Sequence, residues 1–529
     1  MRPLTWLCVL LAGCDGAITS GRPPSAIDPG EEARTKTNPT LEELAQKYFP
    51  GEAAGAPPKR LFRLTQTQLD LTARALLPSH AVGSISATMP RDPLQTNYEY
   101  AANLGFGPAT FTPYTEWAAA LASSSAPSAV TGSCAPTSTT CLRSAARDFV
   151  QRAFRGSAND VQLDRYAALF IARAADAGVA AAAADLVDVT VGAPAFAFRD
   201  EVSTDASGTL LAPQALAALT YTLADVPPEA LGLNGSVSPP DAVDRVLASE
   251  AARAKLQRFF FAWLELREAD EFTIAPSAFP EFTPALAAAA RAETAGFIAS
   301  ALAKPTPSLK DVTQGTPQVS PALTALYGAQ TGPEHRLGVL TQVATIASHS
   351  GPTTTRLVKR GVFFTRKALC MSLGAPPPDV VTTLPTEGGD TERARIENAT
   401  TPARCQGCHA YINPFGFALE NYDAIGRWRT TDDGHPIDPR VTVPWLDEGE
   451  LTADSPVAAL KAFTSSARFK QCFVKQLFRY YVGRDELPSD APLLRDMFFW
   501  FAHDDAQDLT KLLRTLGSSP RLYERSEAP

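Results

Sequence analysis

Apolar residues recur at helical spacing along much of the chain, and this pattern predicts a mainly α-helical protein. Leucines within residues 60–77 follow this spacing, and Thr65 with Gln68 has the pattern of a capping box. Residues 161–175 have the same period, and Asp148 is expected to open another helix. We therefore expect a series of amphipathic helices in the N-terminal half.

The second half of the chain continues this pattern. Val243, Val246 and Leu247 fit one helical turn, and residues 256–266 continue with the same period. Residues 337–372 look helical, with a break at Gly351-Pro352. In the last block, a stripe at helical spacing favours core packing over cofactor binding. The stripe consists of Phe469, Cys472, Phe473, Gln476, Leu477 and Tyr480.

Composition agrees with a globular protein and excludes one class of partner. Proline accounts for 44 of the 529 residues, above the usual share of about 5%, which suits helices joined by Pro-rich connections. The formal net charge is −8, without long basic runs, so we expect no nucleic-acid partner. The sequence also lacks the Walker-type phosphate loop and the HExxH and GxSxG motifs of common enzyme classes.

The first 14 residues indicate export. Arg2 precedes a short apolar run over residues 4–11, which then ends in Leu-Ala-Gly-Cys14. This pattern is typical of a signal peptide, and its ending resembles a bacterial lipobox in which Cys14 becomes the lipidated N-terminus. The alternative is an ordinary secretory signal with a chance cysteine. We expect a protein of the cell envelope, held at the membrane by a lipid anchor and not by a spanning helix.

Six cysteines remain besides Cys14 once the signal is removed. Cys134 and Cys141 enclose a short Pro/Thr/Ser loop, which suits a local disulfide in an exported protein. Cys370 and Cys472 can pair with each other or stay free, because connectivity is not readable from sequence.

The strongest chemical motif is Cys405-Gln-Gly-Cys408-His409, which has the CxxCH form of a c-type haem attachment site. Residues three apart share a helix face, so two thiols can form thioethers with one porphyrin. The adjacent His409 then serves as the proximal iron ligand. The following residues 413–416, Asn-Pro-Phe-Gly, are expected to turn the chain away from this helix.

Three other interpretations of this motif compete with haem c. A thiol–disulfide redox pair normally accompanies a βαβ pattern, which does not surround Cys405 and Cys408. A closed zinc site needs a fourth ligand beside two cysteines and one histidine. A structural disulfide is the third alternative. We favour haem c because thioether attachment takes place outside the cytoplasm, where the leader sends the chain.

The residues that follow the motif have the right chemistry to surround a porphyrin. Arg427 and Arg429 are candidates to pair with haem propionates, and Trp428 to cover the porphyrin. Surface ion pairs are an equal alternative for the two arginines. Glu420 and Asp423 orient those arginines or, less favoured, act as acid–base groups.

The sixth iron position separates electron transfer from catalysis. A Met or His ligand gives a sealed electron-transfer haem, whereas an open position admits a small ligand such as peroxide. We rank His349 first, because it lies at the predicted helix break. The other candidates are Met89, Met371, Met497, His435 and His503.

The stretch CQGCHAYINPFGFALENYDAIGRWR at residues 405–429 resembles a large family of exported planctomycete and myxobacterial proteins of unknown function. That family consists of tandem domains of unknown function with a cytochrome-c-like segment. RLFRLTQTQLDLTARALL, LQRFFFAWLEL and FKQCFVKQLFRYYVGRDEL resemble other blocks of it, so the resemblance covers residues 58–527. One departure is Arg155-Gly156-Ser157, where the family usually has Arg-Arg-Pro.

These observations predict a lipoprotein with one haem c and a function in extracytoplasmic electron transfer, together with a redox partner protein. One alternative is a peroxidase-like haem oxidoreductase with an open iron site, and another is a non-redox scaffold with a structural CxxC. The expected divisions are a signal peptide (1–13), a tether (14–57), three helical blocks (58–130, 131–205 and 206–325), a cytochrome-c-like segment (335–440) and a C-terminal helical block (455–527).

Overall fold

Most of the described residues lie in helices, which confirms the prediction of a mainly α-helical protein. The computed structural model describes residues 39–51, 55–95, 98–99, 101–235, 237–267, 271–374 and 387–527. Within these ranges there are 22 α-helices, and eight short strands form four antiparallel two-stranded ribbons. Cys14 and the predicted signal peptide lie outside the described residues.

The first part of the chain contains twelve α-helices among the described residues. They are α1 (Leu41–Tyr48), α2 (Gln66–Leu76), α3 (Pro108–Ser124), α4 (Ser128–Thr131), α5 (Thr139–Ala153), α6 (Asp160–Ala177), α7 (Val179–Val191), α8 (Pro194–Ala197), α9 (Ala212–Ala224), α10 (Pro239–Leu247), α11 (Glu250–Trp263) and α12 (Pro284–Leu302).

The helices of the second half include the one that carries the CxxCH motif. They are α13 (Leu309–Gln314), α14 (Thr324–Tyr327), α15 (Val343–Ser348), α16 (Leu357–Phe363), α17 (Glu392–Thr400), α18 (Ala403–Phe417), α19 (Pro456–Ser465), α20 (Ala467–Val482), α21 (Ala491–His503) and α22 (Leu509–Ser518). A π-helical turn at Phe364–Ala368 continues α16.

The four ribbons are formed by strands of two to six residues. Strand β1 (Arg60–Arg63) pairs with β4 (Phe198–Glu201), and β2 (Leu94–Gln95) pairs with β3 (Tyr98–Glu99). Strand β5 (Thr431–Asp432) pairs with β6 (His435–Pro436), and β7 (Val441–Leu446) pairs with β8 (Gly449–Ala453).

Several predicted helices are present, but two begin elsewhere. The capping box of Thr65 and Gln68 opens α2, as predicted, whereas the residues before it form β1 and not helix. Helix α5 begins at Thr139, so Asp148 lies inside it. The reason is that the buried face of α5 already starts at Leu142, well before Asp148.

Part of the predicted tether is folded. Residues 39–51 contain α1, which a capping box of Thr40 and Glu43 opens. Its Leu44 and Tyr48 are buried, and the Tyr48 ring meets Phe498 of α21 edge-on at 5.5 Å. The apolar period of this short helix is thus satisfied by packing against the C-terminal helices.

The buried apolar residues form two large clusters and one small one. The first cluster joins α2, α3, α5, α6 and α7, and the second joins α9–α12 and α15 with α20–α22. The small cluster lies beneath the CxxCH helix and combines side chains of α16, α17, α18, α19 and the ribbon β7–β8. This small cluster fixes the position of the helix that carries the motif.

Two disulfides link parts of the chain. Cys134 is bonded to Cys141, and Cys370 is bonded to Cys472 across a separation of 102 residues. The second bond joins Cys370, which follows the π-helical turn, to Cys472 in the middle of α20. It therefore ties together two distant segments of the cluster that contains α20–α22. No helix within the described ranges is long and apolar enough to cross a membrane.

Candidate functional site

Helix α18 presents the three motif residues together. Cys405 is half-buried and Cys408 is exposed, and both carry free thiols. His409 follows directly on the same helix and is half-buried. Because positions three and four apart are neighbours on a helix surface, Cys405 lies close to both Cys408 and His409.

The imidazole of His409 is oriented by a residue one helical turn further on. Its Nδ1 lies 2.8 Å from Oδ1 of Asn413, and Nδ2 of Asn413 donates to Oγ1 of Thr400 at 3.1 Å. The amide oxygen only accepts, so Nδ1 of His409 carries the proton and Nε2 keeps its lone pair. This is the arrangement in which a histidine binds a metal through Nε2.

The helix continues through the residues that were expected to end it. The predicted turn at residues 413–416 is wrong, because α18 extends to Phe417 with Pro414 inside it. Proline cannot donate to the carbonyl of Ala410, and the indole Nε1 of Trp445 donates to that carbonyl instead, at 3.3 Å. The ribbon β7–β8 therefore supports the helix at its weakest point.

Close contact with α16 also holds α18 in place. A Cβ at Gly361 would collide with the carbonyl of Ile412, and one at Gly416 would collide with that of Leu357. Glycine at both positions lets the two backbones approach each other. The CxxCH helix is thus closely packed against α16, which is a suitable base for a covalently bound group.

A cavity of about 720 Å³ lies beside His409, within the usual range for small-molecule sites. Most of the residues that line it are polar or charged. The lining includes Arg393, Glu397, Thr400, Gln406, Asn413, Phe417, Asp438 and Arg440. Cys405 and Cys408 are outside this lining, so the cavity begins at His409 and extends toward the C-terminal half of α18.

Arg393 is held at the wall of this cavity by several contacts. Its Nη1 donates to the carbonyls of Asp438 at 2.6 Å and Arg440 at 3.0 Å. Its guanidinium also lies over the ring of Phe417, at 4.8 Å. Sequence reasoning missed Arg393 because it precedes the motif by twelve residues and reaches the site through tertiary contacts. Asn413, in contrast, has a local signal, since it lies four residues after His409.

His349 lies elsewhere in the structure. It is 4% exposed, its Nε2 donates to the carbonyl of Leu264 at 3.1 Å, and its ring stacks on Phe363 at 3.8 Å. Burial lowers its pKa to about 3. His349 is absent from the described lining of the His409 cavity and is already engaged as a neutral core residue.

The other candidates for the sixth iron position do not line this cavity either. Met89 is buried in the cluster that contains α2 and α3. Met497 is buried in the cluster that contains α20–α22, and Met371 packs against that same cluster. His435 is exposed on β6, and His503 stacks on Phe499 at the end of α21. Within the described residues, the cavity lining thus contains a single histidine and no methionine.

Arg427 and Arg429 form ion pairs within the protein. Nε of Arg427 donates to Asp423 at 2.7 Å, and its Nη1 donates to Glu281 at 2.6 Å. Arg429 pairs with Asp432. Neither arginine lines the cavity of His409, so both are engaged in ion pairs away from that cavity.

Trp428 also packs elsewhere, with its ring 4.3 Å from His335 and 5.4 Å from Tyr422. Two buried arginines that sequence reasoning missed hold this segment. Arg360 donates to the carbonyls of Tyr422 and Asp423 at 2.6 and 2.7 Å, and Arg336 donates to that of Gly426 at 2.8 Å. The segment after α18 is therefore a structural loop packed on buried guanidinium groups.

Glu420 has an unusual environment in the same loop. It is 1% exposed, and neither carboxylate oxygen has a hydrogen-bond partner in the described structure. Burial raises its pKa to about 7, partly offset by the charge of Arg429. Asp423, in contrast, accepts from Arg427 and from two backbone N–H groups, so it orients that arginine as predicted.

The ligand atoms available near the motif indicate which metal cofactors it can bind. Among the described residues, no three His, Cys, Asp or Glu side chains converge into a set that could hold a metal ion. A haem iron requires only axial ligands from the protein, because the porphyrin supplies the other four nitrogens. Two accessible thiols beside one oriented imidazole fit that requirement.

Two parts of the chain match known protein families. Residues 336–432, which include α18, match the family model PSCyt3, described as a protein of unknown function (DUF1588). Residues 233–329 match the model PSD4, also described as a protein of unknown function (DUF1592). No curated protein and no solved structure matches the chain. The chain therefore contains two successive domains of unknown function, which agrees with the tandem arrangement inferred from the sequence.

Proposed function

We propose that this protein carries one covalently bound haem c and transfers electrons outside the cytoplasm. The observation that carries the proposal is the placement of His409. Its Nδ1 is held by Asn413 at 2.8 Å, on the helix that presents the free thiols of Cys405 and Cys408. This arrangement leaves Nε2 of His409 available to bind a haem iron.

Each residue has a defined role in this proposal. The Sγ atoms of Cys405 and Cys408 would hold the porphyrin through thioether bonds, and His409 would bind the iron. Asn413 keeps the imidazole in one tautomer and orientation, and Thr400 orients the Asn413 amide in turn. When bound, the haem supplies a one-electron redox centre.

Two features support the extracytoplasmic location that we propose. The disulfides Cys134–Cys141 and Cys370–Cys472 fit an oxidising compartment, as does the signal peptide expected at residues 1–13, directly before Cys14. We infer that a lipid on Cys14 anchors the protein at the cell envelope. Electron transfer there requires a redox partner protein.

A second candidate function is a peroxidase-like oxidoreductase. The observation that favours it is the polar lining of the cavity next to His409, with Arg393, Thr400 and Gln406. Hydrogen-bonding groups in the distal pocket of a haem favour activation of small ligands over sealed electron transfer, and these three side chains are such groups that the cavity offers. The two candidates share the same haem attachment and differ in the sixth iron position.

The first test is a pyridine haemochrome spectrum and an in-gel haem stain. The full chain is produced with the cytochrome c maturation machinery and denatured before the stain. A c-type α-band is expected, with a stain that Cys405→Ala/Cys408→Ala abolishes. The matched control Cys134→Ala/Cys141→Ala removes another cysteine pair and should keep the stain.

A folded but colourless protein would overturn both haem functions and leave a non-redox scaffold protein. If haem is present, added cyanide separates the two candidates. A low-spin spectrum that cyanide leaves unchanged supports electron transfer. A high-spin spectrum that shifts on cyanide addition supports the oxidoreductase.

A further inference from the structure

A second cavity, of about 660 Å³, lies among α2, β3, α11 and the end of α20. It shares no lining residue with the cavity of His409. Its size is typical of sites for small organic molecules. This part of the protein lies largely before the CxxCH segment, in the region for which the haem gives no role.

The lining of this cavity carries a positive excess. Five of its side chains are basic and three are acidic, a formal excess of two positive charges. The basic ones are Arg91, Arg199, Lys255, Arg258 and Arg267, and the acidic ones are Asp70, Glu99 and Asp225. The whole chain, in contrast, has a net charge of −8, so the sign of the charge in this cavity is opposite to that of the protein as a whole. Such a site attracts anions.

Two cations at the wall of the cavity share one carboxylate. Nζ of Lys255 donates to Asp225 at 2.7 Å, and Nη2 of Arg258 donates to the other oxygen of Asp225 at 2.8 Å. Lys255 is 3% exposed, whereas the Arg258 side chain is 37% exposed. The Arg258 side chain therefore reaches solvent at the edge of the cavity, while Lys255 adds buried positive charge behind it.

Other polar groups of the lining are left without a partner. Arg199 is 6% exposed, and its Nε has no hydrogen-bond partner in the described structure. The hydroxyl of Tyr481, which is 3% exposed, also lacks one. Buried donors are normally satisfied, so unpaired ones beside a cavity point to a ligand that completes them.

Aromatic rings supply the apolar part of the lining. They are Tyr98, Phe261, Tyr480 and Tyr481. The rings of Tyr98 and Tyr480 meet edge-on at 5.6 Å, and Nζ of Lys255 lies 5.1 Å from the ring of Tyr481. Aromatic walls beside basic groups suit a ligand that combines a ring with a negative charge.

We propose that this cavity binds a small organic carboxylate, with its ring against the tyrosines and its carboxylate on the basic side chains that include Arg258 and Arg91. Two classes of small molecule combine a ring with a carboxylate in this way, namely aromatic carboxylates and sugar acids. The site is independent of the haem, so its test does not depend on the function proposed above.

Isothermal titration calorimetry on the full chain tests the site with two probes, 4-hydroxybenzoate and glucuronate. One of them is expected to bind at one site per chain, which identifies the source. The uncharged analogues, 4-hydroxybenzyl alcohol and glucose, are expected to bind at least about tenfold more weakly, because a charge-assisted hydrogen bond is lost.

Matched variants locate the binding. Arg258→Gln and Arg91→Gln each remove a positive charge from the lining and should weaken binding about tenfold. Arg253→Gln makes the same change at an exposed position of α11 outside the lining and should leave affinity unchanged. Arg91 is exposed, so its variant keeps the test valid if Arg258→Gln fails to fold.

Four results would overturn the proposal. The first three are the absence of saturable binding of both carboxylates at millimolar concentration, equal binding of a carboxylate and its uncharged analogue, and equal affinity in the lining variants and Arg253→Gln. Displacement of the carboxylate by sulfate at the same concentration would also overturn it, because the site would then recognise inorganic anions and not the ring.

Discussion

The indole N–H of Trp445 donates to the carbonyl oxygen of Ala410 over 3.3 Å. Ala410 lies four residues before Pro414, so this carbonyl is the acceptor that a backbone N–H at position 414 would use in an uninterrupted helix. Trp445 on β7 replaces that missing bond and joins the ribbon to the CxxCH helix. The ring of Trp445 also packs against Tyr411, at 4.9 Å.

This relationship predicts a coupling between Trp445 and Pro414. Trp445→Phe keeps an aromatic ring but removes the donor, and it should lower the free energy of unfolding by about 1 kcal/mol. In a Pro414→Ala background the same change should cost less, because the backbone N–H at 414 can pair with Ala410. Urea denaturation of the four proteins measures both losses. Equal losses in the two backgrounds would show that the bond does not replace the helical one.

Asn413 is expected to tune the haem. In Asn413→Asp, a negative charge next to Nδ1 of His409 makes the imidazole a stronger donor to iron, which should lower the reduction potential. Spectroelectrochemical titration of the haem-loaded protein measures the potential, and the in-gel stain checks attachment. Asn398→Asp adds the same charge at an exposed position of α17 and is the control. A potential that is the same in both variants would remove Asn413 from its proposed role.

The two disulfides should contribute unequally to stability. A bond that closes a loop of about 100 residues removes about 4.7 kcal/mol of unfolded-chain entropy, against about 2.4 kcal/mol for a loop of about seven. Cys370→Ala/Cys472→Ala is therefore expected to lower the free energy of unfolding by about 2 kcal/mol more than Cys134→Ala/Cys141→Ala. Chemical denaturation of the oxidised proteins compares the two variants. The reverse order would mean that packing around α20, and not loop closure, sets the contribution.

The raised pKa of Glu420 should make the free energy of unfolding depend on pH. Its pKa is raised by burial to about 7, with Arg429 and Arg393 opposing the rise and Asp432 and Glu392 adding to it. The folded protein therefore binds this proton more tightly than the unfolded chain does, and stability should fall as the pH rises from about 4.5 to about 7. The loss attributable to this group is up to roughly 3 kcal/mol.

Glu420→Gln removes this titration while keeping the shape of the side chain. The variant should gain stability relative to the natural protein above pH 7 and show little difference near pH 4.5. Thermal unfolding across this pH range measures the effect. Glu397→Gln, at an exposed position of α17, serves as the control. A constant difference between Glu420→Gln and the natural protein at all pH values would contradict a raised pKa.

Local patterns were the reliable part of the sequence interpretation. The capping box of Thr65 and Gln68 and the apolar stripe of α20 are present as predicted, because both depend on residues within a few positions of each other. The helix α1 had an equally local signal in Thr40 and Glu43, which the high Pro and Gly content around it obscured. The error at Pro414 has the opposite cause, since its compensating donor, Trp445, is 31 residues away in sequence.

The sequence by itself determined the helical class and the spacing of Cys405, Cys408 and His409, because helix geometry places residues three and four apart side by side. Only the tertiary structure decided that His349 is a buried core residue and that Arg427 and Arg429 pair within a structural loop. It also decided that Arg393 lines the cavity of His409 and that α2, α11 and α20 enclose a second, cationic cavity. Such positions depend on how distant elements pack against one another. The periodicity of one element shows which of its faces is buried but not which element covers that face.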